Sequence, residues 1–82
     1  MKIKSFRIGE YALGGIIKVT ISQDWVEIKA LDWNTKKVVG LRVINFTTPE
    51  FYYSVGSYLN ELTTSYYTEK IVSWIRAELK YI

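Results

Sequence analysis

The chemistry open to this chain is limited first by the residue types that it lacks. The sequence contains no histidine and no cysteine. The commonest general base, the usual zinc ligands and the Ser-His-Asp and Cys-His nucleophile arrangements are therefore excluded. Carboxylate, lysine, tyrosine and hydroxyl groups remain as candidates for catalysis.

The eight carboxylates are scattered along the sequence, and no spacing forces two of them together. Asp24 and Asp32 fall at opposite ends of a predicted strand, so they do not form the close pair that acid-base catalysis or an oxygen-ligand metal site needs. We therefore expect no enzymatic activity, no cofactor, no metal and no small-molecule substrate. Asp32 is expected to accept hydrogen bonds from the turn at Asn34 and Thr35. The alternative is a buried acid with a raised pKa.

A second group of residues has the chemical types that are used to recognise macromolecules. Tryptophan rings stack on bases or fill interface pockets, and basic side chains bind phosphates or acidic groups. The pattern derived below predicts that these residues share one face of a sheet. The candidate binding residues are Trp25, Trp33, Arg42, Lys29, Lys18 and Ile44.

The stretch 14–46 predicts three consecutive strands that position this group. Side chains alternate between the two faces of a strand, so the pairing register decides which residues share a face. A first turn centred on Gln23 and Asp24 places apolar residues opposite one another on what we call the inner face. These pairs are Ile21 with Val26, Val19 with Ile28, and Ile17 with Ala30.

The second hairpin gives the same apolar inner face if its turn is centred on Asn34 and Thr35. The opposite, outer face then holds the candidate binding residues, and Glu27 lies there opposite Arg42 as a favourable charge pair. The predicted inner pairs of this hairpin are Val26 with Val43, Ile28 with Leu41, and Ala30 with Val39.

The segments before and after these strands have different periods. Residues 2–8 alternate as a strand, and their lysines favour a sheet edge. Gly14 and Gly15 are expected to bend the chain before the next strand. After Phe46 the apolar period changes from two to about three and a half, which predicts helix. Residues 47–50 are a helix-start signal. Thr48 can cap the helix before Pro49, or Thr47 and Glu50 can form a capping box.

The helical stretch is predicted to break into two helices, because one continuous apolar stripe would run onto polar residues. Thr64 or Ser65 can cap the second helix. The first predicted stripe is Phe51, Val55, Tyr58, Leu59, Leu62 and Tyr66, and the second is Tyr67, Ile71, Trp74, Ile75, Leu79 and Ile82.

These elements predict one α+β domain over residues 1–82. Its architecture is an antiparallel sheet of three or four strands, a meander, followed by two C-terminal helices packed on one face. A chain of 82 residues is too short for two independent cores. The alternative is that the helices leave the sheet and pack against a second copy.

Two binding functions fit the predicted outer face. Trp, Ile and Arg exposed together are typical of a protein interface, and self-association as a homodimer is its simplest form. The alternative is single-stranded DNA or RNA binding, which a net charge of +3 permits and Glu27 disfavours. Trp25 and Trp33 can also fold over the sheet rims as part of the core.

The compartment is predicted from composition. The absence of cysteine fits a reducing cytoplasm. Residues 1–7 are basic, and no long apolar segment follows them, so we expect neither a signal peptide nor a membrane span. The expected protein is cytoplasmic and has no membrane partner.

Overall fold

The computed structural model describes residues 1–80 as an antiparallel sheet followed by two helices. The four strands follow one another in chain order, each antiparallel to the next. This architecture confirms the predicted α+β class and its four-strand form. The elements are β1 Lys2–Arg7, a 3₁₀ turn Gly9–Tyr11, β2 Gly15–Ile21, β3 Trp25–Asp32, β4 Val38–Asn45, α1 Phe51–Leu62 and α2 Ser65–Leu79.

The core lies between the inner face of the sheet and the two helices. Each fully buried aliphatic side chain stabilises the fold by about 1.5–3 kcal/mol. Both predicted helix stripes face this core, apart from Tyr66, which is 60% exposed, and Ile82, which lies outside the described residues. The side chains with no exposed surface include Ile17, Val19, Val26, Ile28, Val55, Leu59, Ile71 and Ile75.

The first predicted hairpin register is confirmed. Ile17 pairs with Ala30, and Val19 pairs with Ile28. β1 joins the free edge of β2, as its lysines predict, with Phe6 opposite Ile17 on the inner face. Three of the four strands therefore present the faces that alternation predicts.

The second predicted register is wrong over most of its length. Next to the turn, Leu31 pairs with Val38 as expected, but Val39 then forms a bulge and has no opposite residue. Beyond the bulge, Val26 pairs with Ile44 and Ile28 pairs with Arg42. A bulge of one residue moves every later side chain of β4 to the other face.

The sheet lies close to α1 at the bulge. The bulge places Gly40, and not Val39, opposite Ala30 on the inner face. A Cβ atom at Gly40 would lie 3.2 Å from the Tyr58 hydroxyl and 3.4 Å from the Ala30 Cβ. The Tyr58 hydroxyl and the Ala30 side chain therefore leave little room for a side chain at this position.

The start of α1 also differs from the prediction. The helix begins at Phe51, and Glu50 occupies the N-cap position with φ 54°, in the left-handed region. Within residues 1–80, no side chain makes a capping bond at this start, so neither predicted cap forms. Instead, the Phe46 and Phe51 rings meet edge to face with centres 5.2 Å apart, and this contact closes the turn into the helix.

α2 begins where the phase break predicts. Thr64 occupies its N-cap position, although its side chain makes no capping bond to the described residues. No helix in the part of the chain that the structure describes is long and apolar enough to cross a membrane.

Candidate interaction face

The outer face of the sheet carries four of the six predicted binding residues. Lys18 lies opposite Lys29 in the β2–β3 ladder, and Trp25 lies on the same side of β3 by alternation. Trp33 directly follows β3, and its ring contacts Arg7 of the same face. All four are at least partly exposed. The outer face consists of Ile3, Ser5, Arg7, Ile16, Lys18, Thr20, Trp25, Glu27, Lys29, Leu31, Trp33, Val38, Leu41 and Val43.

The other two predicted binding residues lie on the inner face, so their assignment to the outer face is wrong. Ile44 is only 6% exposed and belongs to the core. The Arg42 guanidinium lies 4.4 Å from the centre of the Tyr58 ring of α1. Both side chains change face because of the bulge at Val39.

The same bulge brings two apolar side chains to the outer face that were predicted to be buried. Leu41 is 53% exposed and Val43 is 52% exposed. Val38 and Ile3 are 50% and 56% exposed on the same face. The signal that sequence reasoning missed was Gly40, because a glycine within a strand often marks a bulge or a close backbone approach.

One end of the outer face is formed by a stacked cation and ring. The Arg7 guanidinium lies 4.4 Å from the centre of the Trp33 ring. Arg7 reaches this position because it pairs with Ile16, which is 6% exposed, at the end of the β1–β2 ladder. The alternation of β1 predicted the face of Arg7 but not its neighbour, because that neighbour depends on a second pairing.

The middle of the outer face carries mixed charge. The Lys29 ammonium lies 3.4 Å from a Glu27 carboxylate oxygen, so this acid pairs with a neighbour on its own strand. The predicted Glu27–Arg42 pair does not form, because Arg42 lies on the other side of the sheet. Lys18, opposite Lys29, adds a second cation. A surface ion pair of this kind contributes about 0–1 kcal/mol and leaves a modest net positive charge.

Asp32 has the structural role that its position predicts. The backbone N–H groups of Thr35 and Asn34 each donate to its Oδ1 atom, at 2.9 Å. These two bonds, that of Thr35 first, hold the pKa of Asp32 below its ordinary value. The alternative of a raised pKa is therefore wrong, and the carboxylate orders the turn between β3 and β4.

The described residues offer few other places for chemistry. No three acidic side chains among residues 1–80 are close enough together to hold a metal ion. A groove of about 440 Å³ lies between the helices, where the Arg76 guanidinium is 4.1 Å from the Tyr52 ring centre. The groove contains none of the predicted binding residues. The Arg76 guanidinium in it lies on the Tyr52 ring and does not contact a carboxylate of the described residues.

No protein-family model, curated protein or solved structure matches this chain. The outer face is therefore interpreted from its own geometry and chemistry.

Proposed function

We propose that this chain is a small, non-enzymatic, cytoplasmic domain that binds protein through the outer face of its sheet, including copies of itself. The observation that carries the proposal is the set of apolar side chains left half exposed on that face. Ile3, Val38, Leu41 and Val43 are each between 50% and 56% exposed. Apolar side chains left this exposed on one sheet face, with Leu41 and Val43 as neighbours along β4, are typical of an interaction site.

The corrected register supports protein over nucleic acid as the partner. Relative to the sequence prediction, the outer face loses Arg42 and Ile44 and gains Leu41 and Val43. It is therefore less basic and more apolar. The centres of protein interfaces are depleted in charge, whereas faces that bind nucleic acid are enriched in it.

The ends of the outer face supply residue types that contribute most to binding energy in protein interfaces. Trp33 is 43% exposed and Trp25 is partly exposed, at opposite ends of β3. The Arg7 guanidinium lies 4.4 Å from the centre of the Trp33 ring. Tryptophan and arginine are the types most enriched among energetic hot spots.

Single-stranded nucleic acid is the second candidate, and one observation favours it. Arg7 on Trp33 joins a phosphate-binding cation to a ring that can stack on a base. Lys18 lies on the same face, two residues along β2 from Ile16, the partner of Arg7. Glu27 opposes it, because this carboxylate lies against Lys29 in the middle of the face.

The two candidates separate in a titration and a mass measurement. Short single-stranded oligonucleotides are added while tryptophan fluorescence is followed at about 50 and 200 mM salt. We expect no quenching, and we expect a concentration-dependent mass in sedimentation equilibrium that Leu41→Asp lowers. Tyr53→Asp is the matched control, because Tyr53 is 74% exposed on α1 and lies away from the outer face.

Two results would contradict the proposal. Quenching that falls with salt, is lost in Lys18→Glu and survives in Lys37→Glu would make nucleic acid the partner. The second variant makes the same charge change on the exposed turn after β3. A wild-type chain that stays monomeric at every concentration would remove self-association from the proposal.

A further inference from the structure

The edge of β4 exposes backbone groups as well as side chains. The Phe46 N–H donates to the Asp24 carbonyl at 3.0 Å, just beyond the ends of β4 and β3. In an antiparallel ladder, alternate residues turn both backbone groups toward the partner strand. Arg42 and Ile44 therefore bond to β3, while Leu41 and Val43 turn N–H and C=O toward the open edge. Residues 1–80 place no strand along that edge.

The two edges of the sheet differ in how well they are protected from pairing. β1, at one edge, carries three basic residues among its six. β4, at the other, carries only Arg42, whose guanidinium lies on the Tyr58 ring at the inner face. Basic side chains, prolines and bulges are the usual protection of an edge strand. The bulge of β4 lies at Val39, so the stretch 40–45 is regular, and Arg42 is its one charged residue.

We propose that β4 pairs antiparallel with β4 of a second copy, about a two-fold axis at Val43. The pairing deepens the proposed function, on which it rests, by naming a second copy as the partner and the strand edge as the contact. Two four-stranded sheets then form one sheet of eight strands. The two Val43 side chains meet at the centre of its outer face, and each Leu41 lies diagonal to Val43 of the other copy.

The register follows from the groups that must face each other. Outward-turned residues pair with outward-turned residues, so the two-fold axis passes at one of the residues 41–45. An axis at Ile44 or Asn45 pairs at most three residues of the strand, because β4 ends at Asn45. An axis at Arg42 sets two guanidinium groups directly opposite each other, which is destabilising. An axis at Leu41 brings the Val39 bulge into the ladder. The axis at Val43 avoids both, because it pairs Leu41 with Asn45 and Arg42 with Ile44 of the second copy.

Charge favours the edge over a face-to-face dimer. Stacking two outer faces would bring Arg7, Lys18 and Lys29 of each copy toward the same groups of the other, with one carboxylate, Glu27, on each side. Edge pairing separates these cations from those of the second copy by several strands and leaves them in water. Self-complementary contact about a two-fold axis is the commonest form of association between identical chains.

A single-cysteine experiment tests the pairing, because the natural chain has no cysteine. A bonded antiparallel pair separates Cα atoms by about 5.5 Å, within the reach of a disulfide. Val43→Cys should therefore give a disulfide-linked dimer under mild oxidation. Leu41→Cys is the control, since its side chain is equally exposed but lies about 13 Å from its own copy in this register. Circular dichroism checks that each variant is folded.

A charge variant provides the second measurement. Val43→Lys keeps a favourable neighbour, because residue 43 lies opposite Glu27. It also sets two ammonium groups against each other across the two-fold axis. We expect the dimer dissociation constant to rise at least about tenfold, with less than about twofold change in Tyr53→Lys, which lies on α1 away from the outer face and the edge.

The outcomes separate this inference from the proposed function. Disulfide dimer from Val43→Cys in excess of Leu41→Cys supports the edge pairing, whereas equal yields overturn it. A dimer weakened by Trp25→Asp and not by Val43→Lys also overturns it, while leaving protein binding by the outer face intact. Oligonucleotide quenching without any dimer overturns both.

Discussion

The Arg42 guanidinium lies 4.4 Å from the centre of the Tyr58 ring, between β4 and α1. A cation over an aromatic ring at an exposed site contributes about 0.5–1 kcal/mol. This contact assigns Arg42 a part in joining the sheet to the first helix. The outer face keeps its own cations, which come from β1, β2 and β3.

Arg42→Gln is expected to lower the free energy of unfolding by about 0.5–1 kcal/mol, because it removes the cation from the Tyr58 ring. Urea denaturation measures the change. Lys18→Gln, on the outer face, is the control and should change stability by less than about 0.5 kcal/mol. A loss of partner binding in Arg42→Gln at unchanged stability would show that this side chain acts at the interface.

Gly40→Val is expected to destabilise the fold by about 1–3 kcal/mol, because a Cβ atom there already lies 3.2 Å from the Tyr58 hydroxyl. Adding Tyr58→Phe removes that hydroxyl and should restore part of the loss. The four chains of this double-mutant cycle are compared by thermal and urea unfolding. Strictly additive effects would mean that Tyr58 does not limit the space at Gly40.

Gly56→Ala is the matched control for that experiment. A Cβ atom at Gly56, in the middle of α1, would meet nothing within 4 Å. Alanine is favoured over glycine inside a helix by about 0.5–1 kcal/mol, so this variant should gain stability by that amount. A loss would point to a close neighbour that residues 1–80 do not show.

Asp32 is expected to make the free energy of unfolding depend on pH. Its folded pKa is held below the unfolded value by the N–H groups of Thr35 and Asn34, so the unfolded chain binds the proton more readily. The stabilisation is complete above the unfolded pKa and is lost as the pH falls through the folded pKa. Asp32→Asn should remove this acid-side decline. Unfolding curves of both chains from neutral to acidic pH test it, and parallel curves would contradict it.

Gly14 and Gly9 form a second matched pair. Both adopt positive φ, 74° and 67°, but a Cβ atom at Gly14 would lie 2.6 Å from the Leu31 carbonyl oxygen, whereas one at Gly9 would meet nothing within 4 Å. Gly9→Ala should cost about 1–2 kcal/mol for the left-handed conformation alone. Gly14→Ala should cost about 1–3 kcal/mol more. Equal losses would indicate that the loop moves freely away from Leu31.

Much of the fold could be predicted because several local signals agree. The alternation of β2 and β3 admits one register, since a slip of one residue would expose Val19 or Ile28 to water. The phase break before Ser65 separates the two helices for the same kind of reason. The turn role of Asp32 follows from its distance of two and three residues from its donors.

The candidate site was predicted less completely, because β4 is apolar on both faces. Val39, Leu41 and Val43 alternate with Val38, Gly40, Arg42 and Ile44, so hydrophobicity alone does not choose the side that faces the helices. Lys18, Lys29, Trp25 and Trp33 depend on the unambiguous strands and lie on the expected face. Arg42 and Ile44 depend on the ambiguous one and do not.

The alternating and helical periods of the chain are local properties. They were sufficient to predict the α+β class, the order of the hairpin strands and the faces of β2 and β3. Gly40 of β4 lies against Tyr58 of α1, whose hydroxyl would be 3.2 Å from a Cβ atom there, and these residues are 18 positions apart in the sequence. The bulge at Val39 puts Gly40 at this contact, and it exposes Leu41 and Val43 on the outer face and along the open edge. A local pattern does not encode this distance, because it exists only when the helix is packed on the sheet.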